Sequence, residues 1–460
     1  MDAETYRKRR DHLRETGPDG WVLLAGNRPV PRNYEDNVFP FRQNSHVLYY
    51  SGIDRPDVVL VLGDSPAEDL LFGPPEGMDD VVWHGPHATL EEMAATAGLS
   101  GFRPLEALEE TLRTVRAAGR ALHWLPPYQA RVQLWLSGLL GVSPEETVTR
   151  ASRPLMKAVA EARLRKEEEE VAEIEEALGV TARMFQAAFD TIRPGIREAE
   201  VAAAMQRVAL AEGRAQAYNP IVSVRGEVLH NDTHANTLSE GDLLLMDAGA
   251  ESVSFYASDI TRVVPVSGSF TEIQRGVYQA VLNAQLGAIE AMRPGVSFRE
   301  IHLLACRVIV EGLKEVGIMR GDPEEAVAAG AHALFFPHGL GHALGLDVHD
   351  MEDLGDVVGY LEGERRSSVF GLNFLRFARP LEQGFVVTVE PGVYFIPALM
   401  ERWRREDRCS EFIDHQAAAA LAGFGGIRIE DDVLCTASGA RVLGPRIPKT
   451  ADEIEGVLRA

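Results

Sequence analysis

Four carboxylates and a cluster of histidines are the residues of this chain whose types and spacing could do chemistry. Asp247 and Asp259 stand in GDLLLMDAGAESVSFYASDITRVVPVSG at 241–268, two strand-like runs separated by a polar break at Glu251 and Ser252. If the runs form a hairpin turning about Val253, the two aspartates are equidistant from the turn and face each other with Cβ atoms about 5 Å apart. Like charges at that distance repel, so a cation must lie between them or one carboxyl must carry a proton. The LLLM run beside Asp247 reads as buried strand, which argues against two ordinary surface carboxylates.

FFPHGLGHALGLDVHD at 335–350 places His338, His342 and His349 close together in a chain with 13 histidines. The His-x-x-x-His spacing is that of a helical zinc motif, but that motif needs Glu directly after the first His, and Gly339 stands there. Glycines at 339, 341 and 345 predict an irregular or strand segment that permits close backbone approach rather than a helix. Glu390 in GFVVTVEPGVYF and Glu430 in GFGGIRIEDDVLC occupy two more strand-like runs, and alternation puts Arg428 and Glu430 on one face. Asp247, Asp259, Glu390, Glu430 and His342 together make an oxygen-rich donor set. It suits manganese or cobalt first, with zinc or iron also compatible, and four negative charges match two divalent cations. A pair of such ions acidifies a shared water and polarises a carbonyl, which is the chemistry of hydrolysis. A carboxylate such as Glu390 can pass a proton to the leaving nitrogen while nearby imidazoles stabilise the oxyanion.

The elements that must position these groups follow from the rest of the chain. Its 460 residues suffice for two or three domains. The 46 Lys+Arg against 69 Asp+Glu leave a net charge of −23 without a basic stripe, which disfavours nucleic acid. With 45% hydrophobic residues, 25% charged residues and a mean hydropathy of −0.10 the chain reads as globular, and no apolar run approaches membrane-spanning length. The N-terminal MDAETYRKRRDHLRETG has no apolar core of a signal peptide and reads as a surface helix, and Cys306, Cys409 and Cys435 are too few and scattered for a disulfide framework. A cytoplasmic location is therefore expected.

The first part of the chain reads as α/β, with strands at 21–26 and 57–63 and helices near 90–97 and 105–118. The charge run RLRKEEEE marks a junction, so domains are predicted over 1–160 and 161–460. The second domain is expected to be α+β, with helices over 168–191, 197–213, 271–292 and 297–317. DTIRPGIREAE and AMRPGVSFREI share one register, as an internal duplication would leave, and two matching halves would face each other across a pseudo-symmetric cleft.

MDAG…SDITR, HGLGH…DVHD, TVEPGVYF and GIRIEDD, in this order, resemble the proline-specific pita-bread metallopeptidases of family M24B, prolidase and aminopeptidase P, and PFRQNSHVLYYSGI at 40–53 is similar to their N-terminal domain. The resemblance implies a C-terminal pita-bread catalytic domain with an N-terminal α/β domain of the aminopeptidase P/prolidase type. It implies two divalent metal ions, manganese first and cobalt or zinc as alternatives, held by Asp247, Asp259, His342, Glu390 and Glu430. Asp259 and Glu430 would bridge both ions, and Glu390 would also shuttle protons. His230 and His349 would contact substrate and intermediate, His338 would lie near the proline subsite, and Arg428 would orient a ligand carboxylate. The segment 396–425 and FLRFARPL at 374–381 resemble prolidase, with Arg376 where that enzyme binds the substrate's terminal carboxylate. The resemblance therefore points to an Xaa-Pro dipeptidase acting on proline-containing dipeptides or short peptides, with an Xaa-Pro aminopeptidase on longer peptides as the alternative, and to a homodimer. A non-catalytic binding module on the same fold would have lost ligands, and all five are present.

Overall fold

The computed structural model describes residues 1–75 and 77–459. The chain forms two compact units, Met1–Arg163 with Met351–Val358, and Leu164–Asp350 with Gly359–Ala460.

In the first unit, short apolar runs bounded by glycine, proline and aspartate become the strands of a five-stranded sheet. These are β1 (Trp21–Ala25), β2 (Val59–Leu62), β3 (Leu70–Gly73), β4 (Gly101–Pro104) and β5 (Leu122–Trp124), in the order β4-β3-β2-β1-β5. Leu23, Val59, Val61 and Phe72 pack with Leu108 and Leu112 of the Leu108–Ala117 helix, whose apolar positions recur at helical spacing. The N-terminal helix spans Ala3–Thr16, capped by the Asp2 side chain. It is not a plain surface helix, because Arg9 and Arg10 are buried along with Tyr6 and Leu13. The Met351–Val358 segment is anchored in this unit by Asp353, whose Oδ2 lies 3.0 Å from His46 Nε2.

The second unit repeats one plan. Helices Glu168–Phe189 and Glu198–Ala211 precede the antiparallel sheet of β6 (Ile221–Ser223), β7 (Leu243–Ala248) and β8 (Ile260–Pro265). Helices Glu272–Ala291 and Phe298–Glu315 precede β9 (Val386–Val389), β10 (Gly392–Tyr394), β11 (Gly426–Arg428), β12 (Asp431–Cys435) and β13 (Ala440–Val442). In this half β9, β12 and β13 form one antiparallel sheet and β10 and β11 a ribbon. The duplicated R-P-G phrase does the same work twice. Gly195 (φ +92°) and Gly295 (φ +86°) turn the chain between paired helices, and their N–H groups donate to Leu238 O and Leu381 O, each at 2.8 Å. Burial of Phe298, Ile301 and Ile309 on one helix stripe contributes about 1.5–3 kcal/mol each. The two halves are joined by a bridge between Thr261 and Glu430, so the sheets meet at the carboxylates. No helix among the described residues is long and apolar enough to cross a membrane.

Candidate active site

Strands β7 and β8 carry the first two carboxylates, but not in the register expected. Asp247 pairs with Thr261 and Ala248 with Ile260, so Asp259 lies diagonal to Asp247 rather than directly opposite. The turn is centred one residue later than Val253. Ser252 N donates to Tyr256 O at 2.8 Å, Phe255 N donates to Ser252 O at 3.1 Å, and Phe255 takes φ +69°. The carboxylates still converge. Tyr218 Oη lies 2.5 Å from Oδ1 of both Asp247 and Asp259, and Asp259 N donates to Asp432 Oδ2 at 3.0 Å.

The bridge between the halves brings in Glu430, which accepts a 2.5 Å hydrogen bond from Thr261 Oγ1. Arg428, on the same face as Glu430, donates from Nε to Thr261 Oγ1 at 3.0 Å, from Nη1 to Tyr394 Oη at 2.9 Å and from Nη2 to Asp247 Oδ2. It therefore holds Asp247 through one nitrogen and steadies Thr261, which supports Glu430, and Tyr394, which supports His338.

The glycine-rich run lies alongside β9 as irregular backbone. A Cβ on Gly341 would fall 2.0 Å from Thr388 O, so glycine is what lets the segment approach the strand there. Thr388 N donates to His342 O and Glu390 N to Leu340 O, which sets His342 and Glu390 side by side. His342 Nδ1 lies 3.0 Å from Ala343 O, so it carries a proton, and Nε2 faces Asp259 Oδ2 at 3.4 Å and Glu390 Oε1 at 3.7 Å. Without a metal this nitrogen shares a proton with the two carboxylates, and once that proton leaves it offers a lone pair to a cation between them.

The electrostatics agree. Burial pushes the Asp247 carboxyl up to about 6, against the pull of Arg428 and with the push of Asp259. Burial likewise carries Glu390 up to about 7, with His342 and Arg428 opposing and Asp259 and Asp247 adding. Glu430 is raised well above the carboxylate range by burial and by Asp259, Glu390 and Asp247. Burial opposes charge on His342, yet the hydrogen bond to Asp259 and the charges of Glu390 and Asp259 raise it overall. Arg428 is a cation that opposes the rise of Asp247, Glu390 and Glu430, and one ligand atom each of Asp259, His342 and Glu430 lies within 4.8 Å of the others. This hard, oxygen-rich set fits two divalent cations.

The remaining histidines differ in what they can do. His338 is held neutral, down to about 3, by burial and by Arg428. Its Nδ1 lies 2.8 Å from Gly339 O and its Nε2 2.8 Å from Tyr394 Oη, so both nitrogens are engaged and the ring serves as a wall. His349 stacks edge-on to His342 with centroids 4.3 Å apart, and Arg376 Nη1 lies 2.7 Å from its Nδ1. Burial, then the charges of His342 and Arg376, lower His349 to about 2. His230 is the most exposed of them, and partial desolvation of its ring, then the charges of Arg376 and Arg428, lower it. Tyr218, Thr261 and Tyr394 were not foreseen. Only Thr261 carried a signal, two residues beyond Asp259 on the same strand face.

A family model described as metallopeptidase family M24 matches residues 172–437, a span that contains all five donors. The chain belongs to metallopeptidase family M24. A second model, the aminopeptidase P N-terminal domain, matches residues 6–123, so this M24 enzyme has the two-domain architecture of aminopeptidase P. A probable Xaa-Pro aminopeptidase of Sclerotinia sclerotiorum is 33% identical over 470 residues, covering 99% of this chain and 81% of the relative. One from Botryotinia fuckeliana is 33% identical over 460 residues, covering 99% and 96%. Among solved structures, Pseudomonas aeruginosa aminopeptidase PepP superposes with TM-score 0.82 at 29% identity, covering 100% of this chain and 98% of that one. A substituted Escherichia coli aminopeptidase P in complex with substrate gives TM-score 0.81 at 29% identity over the same shares.

These likenesses turn the preference from dipeptidase to aminopeptidase. The 396–425 segment had suggested prolidase, but in this M24 chain it forms two helices, Pro397–Arg405 and His415–Ala420, buried through Met400 and Trp403. Its Ile413 pairs with Met319 and Asp414 N donates to Ile318 O, so the segment packs on the turn after the Phe298–Glu315 helix.

Proposed function

We propose that this chain is an Xaa-Pro aminopeptidase, a metal-dependent exopeptidase that removes the residue preceding proline from the N-terminus of a peptide. The observation that carries the reading is that one ligand atom each of Asp259, His342 and Glu430 lies within 4.8 Å of the others, with Glu390 Oε1 3.7 Å from His342 Nε2 and Asp247 joined to Asp259 through Tyr218. Asp247, Asp259, His342, Glu390 and Glu430 would hold two divalent ions, with Asp259 and Glu430 shared between them. Manganese is the first candidate, and cobalt or zinc satisfies the same donors. Bound there, the ions supply Lewis-acid polarisation of the scissile carbonyl and an acidified water.

The chain's own residues do the rest. Glu390 would take the proton of the attacking water and deliver it to the amide nitrogen of the departing proline. His349, kept neutral beside Arg376, and His230 at the rim offer hydrogen bonds to the oxyanion and the peptide. His338 presents a ring face suited to the apolar pyrrolidine, and Arg428 keeps Asp247 aimed.

Incubation of the manganese-loaded protein with Arg-Pro-Pro, Ala-Pro and Gly-Pro, followed by mass spectrometry, tests the reading. Release of arginine from Arg-Pro-Pro is expected. Turnover of the dipeptides alone would return the assignment to Xaa-Pro dipeptidase, with Arg376 as the receiver of the terminal carboxylate.

Metal binding is also expected to expel protons. Carboxyls raised to about 6 and about 7 are protonated below those values, so a cation must displace their protons and apparent affinity rises as pH climbs through both. Calorimetric titration of manganese in two buffers of different ionisation enthalpy should report net proton release at pH 6. Identical heats in both would refute it.

A further inference from the structure

Outside the carboxylate cluster, the second unit encloses a trio of residues that the peptidase reading does not use. His302 and Cys306 lie one turn apart on the Phe298–Glu315 helix and so share a face, and His332 faces them from the short 3₁₀ turn Ala331–Leu334. All three are buried, and one ligand atom from each lies within 4.8 Å of the others.

Two observations point to a ligand. First, the polar atoms are unsatisfied: neither ring nitrogen of His332 has a hydrogen-bond partner, nor has Nδ1 of His302. His332 is 1% exposed and His302 0%. Buried imidazoles normally find partners, because leaving their nitrogens unpaired away from water is costly. Second, the spacing is that of coordination. Cys306 Sγ lies 3.5 Å from His302 Nε2. In a tetrahedral zinc site, with Zn–S about 2.3 Å and Zn–N about 2.0–2.1 Å, a sulfur and a nitrogen ligand are separated by about 3.5 Å.

We propose that His302, Cys306 and His332 form a second, buried metal site that takes one zinc-like d-block cation through two imidazoles and a thiolate. Its donors select differently from the carboxylate cluster: sulfur and nitrogen favour zinc and softer ions, whereas four carboxylates and one imidazole favour manganese or cobalt. Burial keeps both imidazoles neutral, His302 down to about 3 and His332 to about 4, so their lone pairs are available at physiological pH. Burial also pushes the Cys306 thiol upward, so it is protonated before binding. The sulfur–metal bond therefore forms as the S–H proton leaves to solvent. The cation would tie the helix to the backbone that leads into the glycine-rich run. Phe336 packs against His302 with centroids 5.4 Å apart and against His338 at 4.9 Å, so the staple lies one ring behind that wall of the active site.

Cobalt(II) loading of the intact protein distinguishes this site from the carboxylate cluster, because only a thiolate ligand gives a sulfur-to-cobalt charge-transfer band in the near ultraviolet. The band is expected in the wild type, absent in Cys306→Ala and retained in Cys409→Ala, with one fewer metal per chain in Cys306→Ala. X-ray absorption of the zinc-loaded wild type needs no variant and should show a sulfur scatterer at about 2.3 Å. A cobalt spectrum without the band, a band that survives Cys306→Ala, or zinc surrounded only by oxygen and nitrogen would each overturn the site.

Discussion

Asp259→Asn and Glu430→Gln should each cost this enzyme more than about a hundredfold in turnover and leave it short of metal. Altering groups that merely orient metal ligands already costs about 10–100-fold, and these two carboxylates stand closer to the proposed ions than any orienting group. The substitutions are nearly isosteric and keep the local supports, since Asp259 receives Tyr218 Oη at 2.5 Å and Glu430 receives Thr261 Oγ1 at 2.5 Å. The sign of the stability effect separates metal loss from unfolding. In the metal-free protein the like charges repel, so replacing one carboxylate by an amide should leave the melting temperature unchanged or raise it. With manganese in excess the wild type should melt higher by mass action while the variants do not follow. Plasma emission counts of bound metal, read beside kcat, check both halves of the expectation. Either variant with full activity and two ions would remove the bridge.

Arg10→Ala is expected to destabilise the first unit by about 3–5 kcal/mol, the usual cost of breaking a buried ion pair from one side. Arg10 is fully buried, yet every arm of its guanidinium is used. Nε donates to Asp69 Oδ2 at 3.0 Å, Nη1 to Tyr50 O at 2.8 Å and Ala97 O at 3.0 Å, and Nη2 to Gly98 O at 2.7 Å. Removing it leaves three carbonyls without their donor and Asp69 with Arg14 alone, at 2.8 Å. Urea unfolding followed by the tryptophans of the first unit measures the effect. A loss under about 1 kcal/mol would place this pair with ordinary surface ion pairs.

Both predictions rest on residues that differ in how legible they were. The carboxylates and His342 could be read from the sequence because each sits beside a glycine or in a strand run that narrows what it can be. The four long helices could be read because their apolar positions recur at helical spacing. Register could not. β7 and β8 are buried on both faces, so alternation carries no information about which side chains face one another. The turn that sets their pairing uses a left-handed phenylalanine, a conformation that no propensity would assign to Phe255. Arg9 and Arg10 were misread for a related reason. A charged residue on an amphipathic helix is assigned to solvent unless its partners are known, and those partners lie 40 to 88 residues away. Tyr218 escaped because a hydroxyl that joins two aspartates is defined only by the fold. The dipeptidase preference rested on the likeness of the 396–425 segment and of FLRFARPL to prolidase, whereas likenesses that cover the whole chain favour aminopeptidase P.

The excursion of Met351–Val358 into the first unit changes what a deletion can accomplish. Removing residues before Leu164 would not yield a free-standing peptidase, since Met351 and Leu354, almost wholly buried, would lose the surroundings in which they pack. The chain crosses back immediately after His349 and Asp350, with Met351 at φ +61°, so loosening of the first unit pulls on the backbone two residues from a proposed substrate contact. Architecture of this kind is interleaved rather than modular, and a heat-softened front half should disable the chemistry of the rear before the rear itself melts.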